Sequence, residues 1–188
     1  MERISYANPQ AKLAGLDYSP AGLDLCGKFL KTRGIHADLM LGDMFTVDNG
    51  KRYDSVVSFG LIEHFDSPSG AIAAHARFVQ PNGVVAVSVP NLRPPVIRKY
   101  LQRFAPSTLD THNLDIMSLS ALRAAFEAAG LDPIYIAGAG GPWLITTPKQ
   151  GSMFVKTALK AAPLFHLPLQ AMGRVLWPGH IFGIGKIR

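Results

Sequence analysis

Cysteine is almost absent: Cys26 is the only one in 188 residues. A single thiol excludes an intramolecular disulfide framework and any cysteine-built zinc cluster. Its simplest role is that of a small buried residue on a helix. Acidic residues stop at Asp132; beyond it Lys149, Lys156, Lys160, Arg174, Lys186 and Arg188 carry the whole net charge of +6. Upstream, the other 13 of 19 basic residues are matched by all 13 acidic ones. The pI of 9.6 thus belongs to the C-terminal quarter. That distribution is unlike the broad basic face of a nucleic-acid binder, so no nucleic-acid partner is expected. No apolar run approaches the ~18 residues of a spanning helix, and residues 1–10 lack the apolar core of a secretory leader. A soluble, cytoplasmic protein is the expectation. The six histidines are scattered singly, without ligand spacing, so no metal site is expected either. There are no internal repeats and no low-complexity tracts.

What is present is core material: 48% hydrophobic against 17% charged residues, enough for one domain over residues 1–188. Residues 13–18 (LAGLDY) read as a short buried strand, and Ser19-Pro20 open a helix that Gly34 stops. Residues 38–42 form a second strand, and residues 53–60 (YDSVVSFG) a third, fully buried and parallel. Ser67-Pro68 start another helix. Pro81-Asn82-Gly83 make a tight turn into residues 84–89, the strongest strand signal in the chain. Residues 92–115 read as a long irregular connector, a frequent site of binding. A helix over 118–129 with Leu119, Leu122, Ala125 and Phe126 inward leads to a strand over 133–137, then a flexible glycine turn at 138–141. Residues 151–179 are expected to be a basic amphipathic helical lid, and 180–188 a closing antiparallel strand. Strands alternating with helices give an α/β fold, a Rossmann-like, mostly parallel sheet with helices on both faces. In such sheets ligands bind at the carboxyl ends of the strands, which places Gly60 to His64 at the mouth.

Five stretches, Gly15-Leu16-Asp17-Tyr18-Ser19-Pro20, Gly42-Asp43, Tyr53-Asp54-Ser55-Val56-Val57, Gly60-Leu61-Ile62-Glu63-His64-Phe65 and Pro81-Asn82-Gly83-Val84, resemble in order and spacing the class I S-adenosylmethionine-dependent methyltransferases. Within that class the likeness is greatest to the small-molecule branch that includes quinone-biosynthesis O-methyltransferases. It covers roughly residues 12–91, the cofactor half, and more loosely His112-Asn113 through Gly130, within a substrate-side half expected over 92–150. The resemblance implies S-adenosyl-L-methionine as cofactor and a small, apolar methyl acceptor. Asp17 would accept from the ribose hydroxyls, with Tyr18 beside the sugar or adenine. Asp43 and Met44 would contact the adenine, and Phe59 and Gly60 would pass beneath the methionine portion. The glycine-rich loop of the class has no counterpart, since only 16 residues precede Asp17 and the first glycine is Gly15. The expectation is therefore an N-terminally truncated domain whose first strand is missing.

A hydroxyl acceptor must lose a proton, and His64 is the candidate base at the strand mouth. His112, beside Asn113, is a second candidate on the acceptor side. The bland alternative is that the Glu63-His64 pair orders its loop while Asn113 caps a local turn. Phe165, Leu169, Met172 and Leu176 fall at helical spacing downstream of Lys156 and Lys160, so the tail could also lie on an anionic membrane or cover a lipid-like acceptor. The rival to an enzyme is a non-catalytic binding module of the same fold. A nicotinamide enzyme is disfavoured, because its Tyr/Lys pattern is absent.

Overall fold

A computed structural model describes residues 1–140 and 178–187. The lid expected over 151–179 lies outside the described residues except for Pro178 and Gly179. Among the described residues no helix is long and apolar enough to cross a membrane. The chain forms two compact units, Met1–Lys51 and Arg52–Arg188.

The first unit runs α1 (Glu2–Ala7), β1 (Leu13–Asp17), α2 (Pro20–Thr32), β2 (Ala37–Leu41). β1 and β2 pair in parallel, from Leu13 opposite Ala37 to Asp17 opposite Leu41. The crossover helix begins as the sequence predicts. Ser19 is its N-cap, its Oγ accepting the Gly22 N–H at 3.1 Å, and Pro20 presets the first turn. Gly34, at φ +65°, supplies the left-handed residue that ends it. Gly15 lets the chain pack closely, for a Cβ there would stand 3.0 Å from Leu39 Cδ2.

The second unit runs β3 (Tyr53–Phe59), α3 (Pro68–Ala76), β4 (Val79–Pro90), α4 (Pro95–Phe104), α5 (Pro106–Asp110), α6 (Leu119–Ala128), β5 (Leu131–Ala139), β6 (His180–Ile187). Its sheet has the order β3-β4-β6-β5. β3 and β4 are parallel, while β6 inserts antiparallel to both β4 and β5. The closing strand is therefore central, not at an edge. α3 packs on β4 and α6 on β5 and β6, and the two helices touch each other. Ile72, Val85, Val87, Val89, Leu122 and Phe126 form the dry centre.

Five expectations are corrected. β3 is not fully buried: Val57 is 38% and Phe59 67% exposed. It is an edge strand, hydrogen-bonded to β4 alone among the described residues, so one row of its side chains lacks cover. Pro81-Asn82-Gly83 do not turn the chain but lie within β4 as an irregularity, where the β3 register shifts between Tyr53 and Ser55. Asn82 takes up φ +67° there, and Gly83 fits because a Cβ would stand 2.8 Å from the Asp54 carbonyl. The connector after β4 contains α4 and α5. Prolines open both helices, and Ile97 and Leu101, one turn apart, bury one face of α4. Gly138 and Ala139 extend β5, and Leu119 is 49% exposed at the start of α6 instead of facing inward.

Candidate active site

In the first unit, Asp17 ends β1 and Asp43 follows β2 by two residues, so both carboxylates belong to the same end of the parallel pair. The Gly42 N–H donates to the Asp17 carbonyl at 3.0 Å and fixes their spacing. Each carboxylate also does local work. Asp17 Oδ1 accepts from the Ser19 N–H at 2.9 Å, and Asp43 Oδ1 from the Phe45 N–H at 2.9 Å. These are the turn-making roles that aspartates commonly fill. The second Asp17 oxygen is kept clear by Gly22, where a Cβ would stand 2.8 Å from Oδ2. Tyr18 beside it is 81% exposed, and Met44 is half-buried.

In the second unit, the carboxyl end of β3 turns at Gly60, in the left-handed region at φ +64°. The Gly60 N–H donates to the Ser88 carbonyl of β4 at 2.9 Å. One turn of 3-10 helix over Ile62–His64 follows. It buries Ile62 and Glu63 and leaves His64 exposed. Ile62 is apolar and anchors the turn. Glu63 is a buried acid, 1% exposed, whose Oε2 has no hydrogen-bond partner. Burial raises its carboxyl pKa, and its backbone hydrogen bond and the nearby His64 only partly offset that.

The loop after α5 comes back to this turn. The Asn113 N–H donates to the Glu63 carbonyl at 2.7 Å, and His64 Nδ1 donates to the Thr111 carbonyl at 2.9 Å. A carbonyl only accepts, so the His64 proton sits on Nδ1 and Nε2 carries the lone pair. The His64 and His112 ring centroids lie 4.4 Å apart. His112 Nδ1 is 3.1 Å from Thr111 Oγ1, whose own proton is directed at the Ser107 carbonyl 3.0 Å away. Nδ1 of His112 therefore donates to Thr111 Oγ1, and the Thr108 backbone is a further hydrogen-bond partner of the ring. Desolvation, and secondarily the charge of His64, lowers the His112 pKa. Asn113 meanwhile caps a local turn, its Oδ1 accepting from the Asp115 N–H at 3.0 Å.

The structure thus brings His64 and His112 together from 48 positions apart and adds two residues the sequence reading gave no site role, Glu63 and Thr111. Glu63, His64 and His112 each bring one ligand-capable atom to within 4.8 Å of the others. The Glu-His dipeptide was visible in the sequence, whereas nothing in it signalled the Thr111 backbone carbonyl. Elsewhere in this unit an open recess of about 330 Å³ is lined by Asn91, Arg93, Pro94, Met117, Leu119 and Ile181, among others.

A family model described as a methyltransferase domain matches residues 4–136, a span containing Asp17, Asp43, Gly60, Glu63, His64, Thr111 and His112. The chain belongs to the methyltransferase-domain family. Solved structures agree on the fold. The [4+2]-cyclase SpnF is 12% identical with a TM-score of 0.63, over 99% of this chain and 69% of that one. The YcgJ protein from Bacillus subtilis is 16% identical with a TM-score of 0.59, over 94% of this chain and 82% of that one. An O-methyltransferase family protein from Burkholderia thailandensis is 15% identical with a TM-score of 0.59, over 98% of this chain but 46% of that one. At these identities the likeness is one of fold. No curated protein matches the sequence significantly. The chain is thus a Rossmann-like, S-adenosyl-L-methionine-dependent methyltransferase domain.

Proposed function

We propose that the chain methylates a hydroxyl group of a small, largely apolar molecule, with His64 removing the hydroxyl proton. The observation that carries this reading is the tautomer of His64. Its Nδ1–H is committed to the Thr111 carbonyl, so an exposed Nε2 lone pair stands at the carboxyl end of β3. That is where α/β sheets bind ligands. Exposure to solvent lets the imidazolium release its proton after each turnover. The recess near β4 and α6 has the size of a small molecule and is mostly apolar, with Asn91, Arg93 and Ser118 as its polar exceptions.

The residues present suit the cofactor. In the first unit, Asp17 Oδ2 stays open beside Gly22 to accept from a ribose hydroxyl, and the exposed ring of Tyr18 offers a flat apolar face. Asp43 and Met44 would serve the adenine, one through a carboxylate acceptor and the other through apolar contact. When bound, the cofactor supplies an electrophilic methyl carbon on a sulfonium. The protein's share is orientation, exclusion of water and the movement of one proton.

Calorimetric titration with S-adenosylhomocysteine tests the cofactor assignment. Asp17→Asn keeps an oxygen for the Ser19 N–H but loses the charge, so folding should persist while affinity falls about 10–100-fold, the ~1.5–3 kcal/mol of a hydrogen bond to a charged group. Asp17→Ala should lose the affinity and also lower the melting temperature. Wild-type affinity in Asp17→Asn, or no binding by folded wild-type protein, refutes the assignment. Cofactor binding without methyl transfer across a panel of hydroxyl acceptors would favour the non-catalytic module instead.

A further inference from the structure

We propose that the recess beyond the carboxyl end of β4 binds the carboxylate of an aliphatic acid, with Arg93 as the residue that selects the charge. The recess encloses about 330 Å³. Five of its eight lining residues are apolar (Pro94, Met117, Leu119, Pro178 and Ile181), and none is aromatic. Such a wall packs methylene groups and offers no ring for a ligand to stack on. Its few polar groups then decide which head group enters.

Two of the three polar residues are engaged by the fold itself. Asn91 Nδ2 donates to the Pro178 carbonyl at 3.0 Å, and the Asn91 N–H to the Gly179 carbonyl at 2.8 Å. Ser118 Oγ accepts the Ala121 N–H at 3.1 Å as the N-cap of α6. Arg93 is different. It is exposed, and among the described residues it forms no ion pair, even with Asp115 two positions before the lining residue Met117. No acidic side chain occurs between Asp66 and Asp110, nor anywhere after Asp132. Neither its own segment nor residues 141–177 can therefore supply a side-chain carboxylate to neutralise it. A cation beside an apolar recess with no counter-charge is complemented by an amphipathic anion. The guanidinium fork matches a planar carboxylate through two parallel N–H···O bonds, and one fork balances one negative charge. That favours a carboxylate over a phosphate dianion.

The recess also lies on the right side of the sheet. β3 and β4 are parallel, so Asn91, directly after β4, and His64, in the turn after β3, stand at the same end of the pair. That the bound acid is also the methyl acceptor rests on the methyl-transfer reading. On that reading the acceptor class is an aliphatic hydroxycarboxylate, its carboxylate held by Arg93 and its hydroxyl deprotonated by His64. Capture of the carboxylate itself needs only the recess and Arg93.

The test is calorimetric titration of the full chain with octanoate and with octanamide, its neutral counterpart of equal length. At low salt octanoate should bind about tenfold more tightly than octanamide. Arg93→Met, which keeps an apolar stem, should bring octanoate down to the octanamide level and leave octanamide within about twofold of the wild type. Arg93→Lys keeps the charge but loses the fork, so it should retain only part of the preference. Leu119→Ser, on the apolar wall, should weaken both ligands alike. Arg98→Met, in α4 and outside the recess, should change neither. All three positions are exposed, so the variants should fold, and melting curves check that they do. The proposal is overturned by no octanoate binding to the folded wild type below the micellar concentration, by equal affinity for the two ligands, or by an equal loss in Arg98→Met. Octanoate has no hydroxyl to methylate, so the recess assignment can stand where methyl transfer fails. Methylation of neutral alcohols by a chain that does not bind octanoate would be the reverse.

Discussion

Gly183 and Gly185 should be irreplaceable for a reason that has nothing to do with backbone freedom. They occupy alternate positions of β6 and so face the same side of the sheet. Neither is among the positive-φ glycines, so alanine at either site strains no dihedral angle. What forbids it is the Phe126 ring of α6. A Cβ at Gly183 would overlap Phe126 Cε2 and stand 3.0 Å from Ile136 Cδ1 and 3.0 Å from Leu122 Cδ2; at Gly185 it would overlap Phe126 Cδ1. Phe126 and Leu122 are both 0% exposed, so the ring has nowhere to withdraw. Overpacking of this kind costs about 1–3 kcal/mol, and each kcal/mol lowers the melting temperature by roughly 2–8 °C. Phe126→Ala alone should cost about 3–5 kcal/mol by opening a cavity. In the double mutant the new methyl enters that cavity and meets no ring. Gly183→Ala/Phe126→Ala should therefore be less destabilised than the sum of the singles, by about 0.5–3 kcal/mol. Urea unfolding followed by far-UV circular dichroism measures all three, with the midpoint moving at constant slope. A Gly183→Ala cost below ~0.5 kcal/mol refutes the reasoning. So does additivity within the same margin.

Gly60 offers the converse case, strain without crowding. A Cβ there would meet only Glu63 Oε1 at 3.5 Å, an ordinary contact, but the residue sits at φ +64°. Gly60→Ala should cost about 1–2 kcal/mol of thermal stability, and a variant as stable as the wild type would show that the turn is not held left-handed in solution. Ser67 caps α3 by accepting the Gly70 N–H at 3.1 Å, so Ser67→Ala should lose about 1 kcal/mol while Ser67→Asp should retain most of it. An unchanged urea midpoint in Ser67→Ala would count against the cap. His75 is 4% exposed, donates from Nδ1 to the Ala71 carbonyl at 2.7 Å, and has its pKa lowered chiefly by desolvation. The unfolded chain then binds more protons than the native one, so the His75 contribution is complete above the ordinary histidine pKa. It is lost as pH falls from there towards the lowered native value. Melting temperature followed across mildly acid pH should fall less steeply in His75→Gln than in the wild type, and parallel curves would refute the assignment.

The features legible in the sequence are those set by a few neighbouring residues. Ser19, Ser67 and Ser118 each cap a helix by accepting from the N–H three residues on, and in the first two a proline follows to preset the first turn. The strand over Val84 to Val89 and the positions of Asp17, Asp43 and Gly60 at strand ends were legible for the same local reasons. Non-local features were not. The sequence of β6 is largely apolar, but nothing in it says that the strand slots between β4 and β5, because that depends on two glycines meeting a phenylalanine about 60 residues earlier in the chain. β3 looked fully buried because composition reports how apolar a strand is, whereas exposure depends on what lies beside it. α4 was hidden by its prolines and arginines, which signal a loop when counted but a helix when Ile97 and Leu101 are placed on one face.

The histidine pair is the sharpest instance. His64 and His112 were each assigned to the acceptor side as single residues, and singly each has a bland explanation. What turns them into chemistry is Thr111, which orients both rings through a backbone carbonyl and a hydroxyl, and neither group advertises that role in a sequence. The carbonyl fixes a proton on one nitrogen and thereby frees the other. A base is therefore defined here less by the histidines than by the acceptors behind them. Thr111→Val separates the two contributions, since it removes the hydroxyl that holds His112 and leaves the carbonyl that holds His64. If His64 is the base, the acid limb of a pH–rate profile should survive that substitution while disappearing in His64→Gln. Loss of the limb in Thr111→Val alone would transfer the role to His112.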